Sequence, residues 1–131
     1  MREIKFRAWL KELNEIREVE YINFWKKMIS FPNKFCKEYY LNADFDEIDL
    51  MRYTGLKDKN EKEIYEGDIV KLRANHGIGA VKYYDEWGAF VVEYIKSKPL
   101  TVLGMSYYKE DIEVIGNIYE NSELLGDKND F

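Results

Sequence analysis

Over the opening nine residues, Ile4, Phe6 and Ala8 alternate with Lys5, Arg7 and Trp9. A period of two sends the two sets to opposite faces of an extended chain, so the pattern predicts a first strand. Leu10, Leu13 and Ile16 then recur at every third position. That spacing drifts around a helix of about 3.6 residues per turn and holds no face for long, so a turn over residues 11–15 is expected. Residues 19–25 are rich in β-branched and aromatic side chains and predict the return strand of an N-terminal hairpin. Pro32 ends whatever element precedes it. A short helix over residues 33–40, capped by Asn33, is one reading of the stretch that follows. Asp44 and Glu47 have capping-box spacing, yet residues 48–53 also read as a strand, and the strand is preferred.

The second half is more regular. Strands are expected at residues 69–73, 78–84, 89–95 and 112–119, with turns at Asn75-His-Gly77 and Asp85-Glu-Trp-Gly88 and a longer loop over 96–111. Short strands at close intervals with glycine at the corners predict a small bent sheet, because closure hides edges that would otherwise recruit other chains. The expected fold class is mainly β with minor helix: an SH3-like partly open β-barrel with an N-terminal β-hairpin extension. The chain reads as a single domain over residues 1–131, made of a hairpin and irregular segment at 1–50, a barrel core at 51–120 and a partly disordered tail at 121–131.

The densest turn signals lie between the halves. Tyr53 and Leu56 straddle Thr54-Gly55, a bend between two side chains bound for the interior, where glycine can take a positive φ. Residues 57–63 are wholly polar and predict a solvated tip before Ile64 and Tyr65 return inward. Glu66-Gly67-Asp68 is a second bend, with Asp68 placed to accept a backbone hydrogen bond. Tyr53, Gly55, Leu56, Asp58, Gly67 and Asp68 are therefore read as structural: glycines for backbone freedom, Tyr53 and Leu56 for packing, the two aspartates for turn hydrogen bonds.

At 131 residues the chain can bury roughly two-thirds of its unfolded surface and needs neither disulfide nor metal to fold. Its one cysteine, Cys36, has no histidine near it in sequence to activate it and is read as a small semi-buried side chain. With no signal peptide and no long apolar stretch, a cytoplasmic protein with no membrane association is expected. The formal net charge of −5 weighs against a protein whose main task is coating nucleic acid, since that affinity comes largely from Lys and Arg displacing counterions.

Three stretches carry a family resemblance: Tyr-Thr-Gly-Leu-Lys-Asp-Lys-Asn at 53–60, Glu-Ile-Tyr-Glu-Gly-Asp-Ile-Val at 63–70 and Ile-Gly-Asn-Ile-Tyr-Glu-Asn at 115–121. Together with the opening Met-Arg-Glu-Ile-Lys-Phe-Arg-Ala-Trp, they resemble the YopX-like family of phage and prophage proteins. Residues 10–50 and 96–110 match it only loosely. The resemblance implies a phage or prophage origin and the bacterial host cytoplasm, and it implies no chemistry. One departure stands at the tip, where the family usually has glycine after Asn60 and this chain has Glu61. A type I′ turn over Asn60-Glu61 would need positive φ at both residues and is not expected, whereas Asn60 alone tolerates it.

No constellation reads as catalytic. His76, the one histidine, sits in a glycine-flanked turn and is read as exposed. Asp44, Asp46, Glu47 and Asp49, or Asp58 with Asp68, offer carboxylates, but not at the spacing of a calcium loop. Gly77-Ile-Gly79 lacks the third glycine and following helix of a phosphate loop and is read as a flexible hairpin tip. No enzyme activity, metal or cofactor is expected.

Candidate binding residues are Tyr83, Tyr84, Trp87, Tyr107 and Tyr108 with Lys96, Lys98 and Lys109, since exposed rings beside lysines can stack the bases of single-stranded nucleic acid. Adjacent strand tyrosines point to opposite faces, so one of each pair is expected inside. The aromatic excess of residues 19–45 suggests self-association. The expected role is a non-enzymatic accessory protein that binds a host or phage protein or forms a homo-oligomer. A nucleic-acid-binding regulator is the alternative.

Overall fold

The computed structural model describes residues 3–73, 77–94, 100–105 and 108–126. Two compact units emerge, Glu3–Arg52 and Tyr53 onward. One strand, Ile48–Lys57, contributes its first half to one unit and its second half to the other.

In the first unit, β1 (Phe6–Leu10) pairs antiparallel with β2 (Glu15–Val19), Leu10 opposite Glu15 and Phe6 opposite Val19. The predicted turn is present, closed by the Asn14 amide donating to the Leu10 carbonyl at 2.8 Å. Because that turn closes so tightly, pairing resumes at Glu15, and the return strand is residues 15–19 rather than 19–25. The aromatic stretch instead opens a second sheet of β3 (Tyr21–Asn23), β4 (Met28–Pro32) and β5 (Tyr40–Asp44). Ala8, Leu10, Ile29, Phe31 and Ile48 form the buried core of this unit, flanked by Val19, Ile22, Ala43, Phe45 and Leu50.

Residues 33–40 form no helix. Asn33 does accept amide hydrogen bonds from Phe35 (2.8 Å) and Cys36 (3.3 Å), as a cap would. The Asn33 amide then donates to the Tyr39 carbonyl at 2.7 Å and closes a hairpin loop. So short a helix is marginal without an apolar face to pack, and Phe35 is 95% exposed. Around Asp44 both sequence signals hold: a 3₁₀ turn at Phe45–Glu47, with Glu47 Oε1 accepting the Asp44 amide at 2.9 Å, leads directly into β6 (Ile48–Lys57).

In the second unit, the latter half of β6 pairs with β7 (Glu63–Tyr65), with a register shift between Tyr53 and Lys57 that contains Gly55. A five-stranded sheet runs β11-β10-β9-β8-β12, from Thr101–Val102, Ala89–Tyr94, Ile78–Tyr84, Asp68–Leu72 and Ile112–Asn117. The sheet is curled and open, the partly open SH3-like barrel expected. Ile64, Val70, Leu72, Val81, Val92, Tyr94, Leu103, Ile112 and Val114 fill it, with Leu56 and Phe90 alongside. The four strands expected in this half are all present, with ends within two residues of the expectation where they are described. β7 and β11 are three and two residues long, too short for periodicity to register. Of the tail, Ser122–Leu125 forms a 3₁₀ turn, and residues 127–131 lie outside the described residues, as does His76.

The polar tip departs from expectation twice. Asp58 is 1% exposed, so the tip is folded around a buried carboxylate rather than wholly solvated. Glu61, not Asn60, takes the left-handed conformation, at φ +66°. Gly79 is not a flexible tip either: it lies within β9, where a Cβ would stand 2.6 Å from the Glu93 carbonyl oxygen.

At the second bend Gly67 has φ +86°, and its amide donates to the Val81 carbonyl while its carbonyl accepts the Ile118 amide, each at 2.8 Å. A β-branched side chain at that φ is strained whatever space surrounds it. Gly67→Val is expected to lower stability by about 2–3 kcal/mol or to prevent folding; a urea midpoint matching wild type would contradict this. Glu61→Gly should do the reverse. Removing about 1–2 kcal/mol of left-handed strain outweighs the added chain entropy of glycine, giving a net gain of roughly 0.5–1 kcal/mol in chemical denaturation. The exposed ion pair of Glu61 with Lys109 subtracts little from that gain.

Candidate functional site

The buried carboxylates of the turn region are committed to the backbone. Asp58 Oδ1 accepts the amides of Asn60 (2.8 Å) and Lys62 (2.9 Å), and Oδ2 accepts that of Val114 at 2.9 Å. Burial would push this carboxyl up, but the amides of Val114, Lys62 and Asn60 outweigh it and hold the group below the usual aspartate range. Asp68, also 1% exposed, accepts the Tyr65 amide at 2.8 Å through Oδ2. Thr54 Oγ1 donates to the Ile64 carbonyl at 2.8 Å and accepts the Leu56 amide at 3.2 Å. The third motif is built alike: Asn117 Oδ1 accepts the amides of Tyr119 and Glu120, and Asn121 Oδ1 accepts the Asn117 amide. These polar side chains are engaged with backbone groups of their own segments, and Asp58 reaches Val114 as well.

Asp44, Asp46 and Glu47 bring one carboxylate oxygen each within 4.8 Å of the others, the arrangement among the described residues that a hard cation could use. Glu47 is already engaged with the Asp44 amide, and Asp44 and Asp46 are exposed, so the cluster is a capped turn before it is a metal centre. Cys36 is half-buried, as expected.

The aromatic candidates divide. Tyr83 packs edge-on against Phe90, centroids 5.2 Å apart. Tyr84 packs edge-on against Trp87 at 4.9 Å and donates its hydroxyl to Glu86 Oε2 at 3.0 Å, a contact that raises its pKa. Both tyrosines are half-buried, rather than one inside and one out. Tyr108 is exposed beside a 3₁₀ turn at Lys109–Asp111, and Lys109 pairs with Glu61. Lys96, Lys98 and Tyr107 lie outside the described residues. A shallow cleft of about 390 Å³ is lined by Thr54, Leu56, Tyr83, Phe90, Leu103 and Met105 among others. Its described lining is mostly apolar side chains and glycine, with the Tyr83 and Thr54 hydroxyls as the polar side-chain groups.

A larger exposed aromatic surface belongs to β3, β4 and β5. Ile29 and Phe31 point into the core, so pleat alternation turns Met28, Ser30 and Pro32 outward, together with their register partners Tyr21, Asn23, Tyr40, Asn42 and Asp44. Tyr21 and Tyr40 meet edge-on at 5.4 Å. The Tyr40 hydroxyl donates to Glu20 at 3.1 Å, and that carboxylate pushes its pKa up to about 12, keeping the phenol neutral. The hairpin turn at one end of this face carries Phe24 and Trp25, and the loop at the other carries Phe35 and Tyr39. Trp25 is 92% exposed, Phe24 71% and Tyr39 69%. Sequence reasoning marked residues 19–45 as over-supplied with apolar side chains but did not single out these rings. The usable signal was their place in turn-like stretches beside lysines, Phe24-Trp-Lys-Lys27 and Lys34-Phe35.

The fold and its surfaces define a small mainly β protein whose buried carboxylates accept backbone amides and several of whose rings are exposed. A family model, YopX protein, matches residues 5–126, and the chain belongs to the YopX family of phage and prophage proteins. It is similar to the crystal structure of protein EF1440 from Enterococcus faecalis, at 27% identity and TM-score 0.64, over 95% of this chain and 99% of that one. The structure of protein yopX from Bacillus subtilis is similar in fold at 22% identity and TM-score 0.65, covering 95% and 98%. No match was found among curated proteins.

The Asp58 cluster generates a pH test. A carboxyl held below its ordinary value contributes stability above about pH 4, the unfolded aspartate value, and loses it as pH falls through the lower folded value. Asp58→Asn places an NH₂ against backbone donors and is expected to cost about 2–4 kcal/mol at pH 7. Urea titrations from pH 7 to pH 2 should show wild type losing this advantage below pH 4; equal stability at pH 7 would contradict the assignment.

Proposed function

We propose that this chain is a non-enzymatic binding module of a phage or prophage, working in the bacterial host cytoplasm and engaging a protein through the outward face of β3–β4–β5 and its end loops. The observation that carries the reading is the exposure of Trp25 and Phe35, at 92% and 95%. Large rings dominate binding energy at protein interfaces, and rings this exposed, placed in the two end loops of one small sheet, mark a surface suited to contact. The polar groups of the signature motifs are taken up by backbone amides, which leaves surface contact as the property to be explained.

Nucleic-acid binding is the second reading. Trp25 is followed by exposed Lys26 and Lys27, and Trp87 and Tyr108 are 53% and 68% exposed, a composition that suits base stacking. The net charge of −5 and the Lys109 pairing with Glu61 weigh against it.

The test is capture by a tagged chain from infected cells that also express an untagged copy, with and without nuclease. Recovery of a discrete polypeptide that resists nuclease and is lost with Trp25→Ser/Phe35→Ser is the expected result. Recovery abolished by nuclease would shift the assignment to the second reading, and no recovery at all would remove the first.

A further inference from the structure

We infer that the occupant of this aromatic face is a second copy of the same chain. The inference rests on the binding-module reading and names its partner. Three observations carry it.

The first is area. Phe24 packs edge-on against Phe45 on the core side. Without it, at about 200 Å² for a fully exposed aromatic side chain, the exposed fractions of Tyr21, Trp25, Phe35, Tyr39 and Tyr40 offer roughly 700 Å². That equals about what each partner contributes to a standard-size interface, and it exceeds the roughly 300–600 Å² of the largest patch on a typical monomer. The second is charge. Lys26 and Lys27 share one end of the face with Asp44 and Asp46, since Met28 pairs with Asp44 and the Phe45 amide donates to the Lys27 carbonyl. At the other end, Lys34 and Lys37 lie in the loop with Glu38, and Tyr40 binds Glu20. Both signs at both ends make the surface self-complementary in a two-fold pair, whereas a polyanion would meet carboxylates at each end.

The third is the composition of the face between its ends. Tyr21, Ser30, Asn42, Pro32 and Tyr40 carry no formal charge. The Ser30 hydroxyl is satisfied by Asn42 at 2.6 Å, and the Tyr40 hydroxyl by Glu20. Covering such a centre strands few polar groups, which is the usual makeup of an interface core with a charged rim. An isologous contact brings each ring into the interface twice, so a pair of substitutions removes four anchors.

Sedimentation equilibrium of the purified full chain from 1 to 100 μM tests the inference. Wild type is expected to be dimeric at tens of micromolar. Trp25→Glu/Phe35→Glu should raise the dimer dissociation constant by at least about 100-fold, because it removes paired anchors and sets like charges face to face. Both residues are more than 90% exposed, so the variant should keep the wild-type circular dichroism spectrum, and its thermal midpoint should match that of wild type diluted until it is monomeric. A wild-type monomer at 100 μM overturns the inference, and so does a variant that stays dimeric. If wild type is monomeric yet still recovers a foreign polypeptide through Trp25 and Phe35, the binding-module reading stands and the second copy falls. If wild type is monomeric and recovers nothing, both fall.

Discussion

A buried carboxylate organises the second unit. Asp58 is almost fully withdrawn from water, and its two oxygens accept three backbone amides, two from its own turn and one from Val114. An ionised carboxylate without such partners would be strongly destabilising in that position, so the turn and β12 are held to a single mutual arrangement. The Lys59 amide adds a bond to the Ile112 carbonyl beside it. Residues 56 positions apart in the chain are thereby fixed to one another, which ties the turn to the edge strand β12 of the five-stranded sheet. Asp68 and the left-handed Gly67 do the same at the next bend, reaching Val81 and Ile118. Two aspartates and a glycine therefore account for the two specific motifs in the middle of the chain.

The first unit is held differently. Its core is small, five buried side chains with a half-buried margin, and the three-stranded sheet that covers it has only one face to bury. Phe31 and Ile29 occupy that face, and Arg17 lies over the Phe31 ring at 5.2 Å while donating to the Pro32 carbonyl at 2.5 Å. The rings left over in the end loops have no interior to enter. Their exposure follows from the supply of aromatic residues exceeding the volume available beneath one short sheet. A surface of that kind is held in place by the fold and is paid for in solubility unless something covers it.

Much of the second unit was legible because its strands are bounded by glycine turns and bury continuous runs of Ile and Val. The pattern at 69–73 and 78–84 needs no long-range information to be read. The first unit was less so. β2 is mostly charged, and it is a strand because the Asn14 turn places it beside β1, not because its composition favours extension. Residues 33–40 carry an N-cap signal that is real at Asn33, yet they lack the apolar stripe that would let a helix pack. At Glu61 the sequence showed a departure from the family pattern without showing which residue would bear the positive φ. The Lys62 amide, bound to Asp58, decides that.

The sequence by itself determined the mainly β class and the family, and it marked Gly55 and Gly67 as positions of positive φ, because each is encoded within a few consecutive residues. Only the tertiary structure decided which aromatic rings lie outside, since burial depends on how much interior a sheet face provides and not on the identity of the side chain. It also decided that Asp58 binds a strand far along the chain. A carboxylate three residues from its partners is visible as a turn, but one bonded to Val114 is visible only once the sheet has formed.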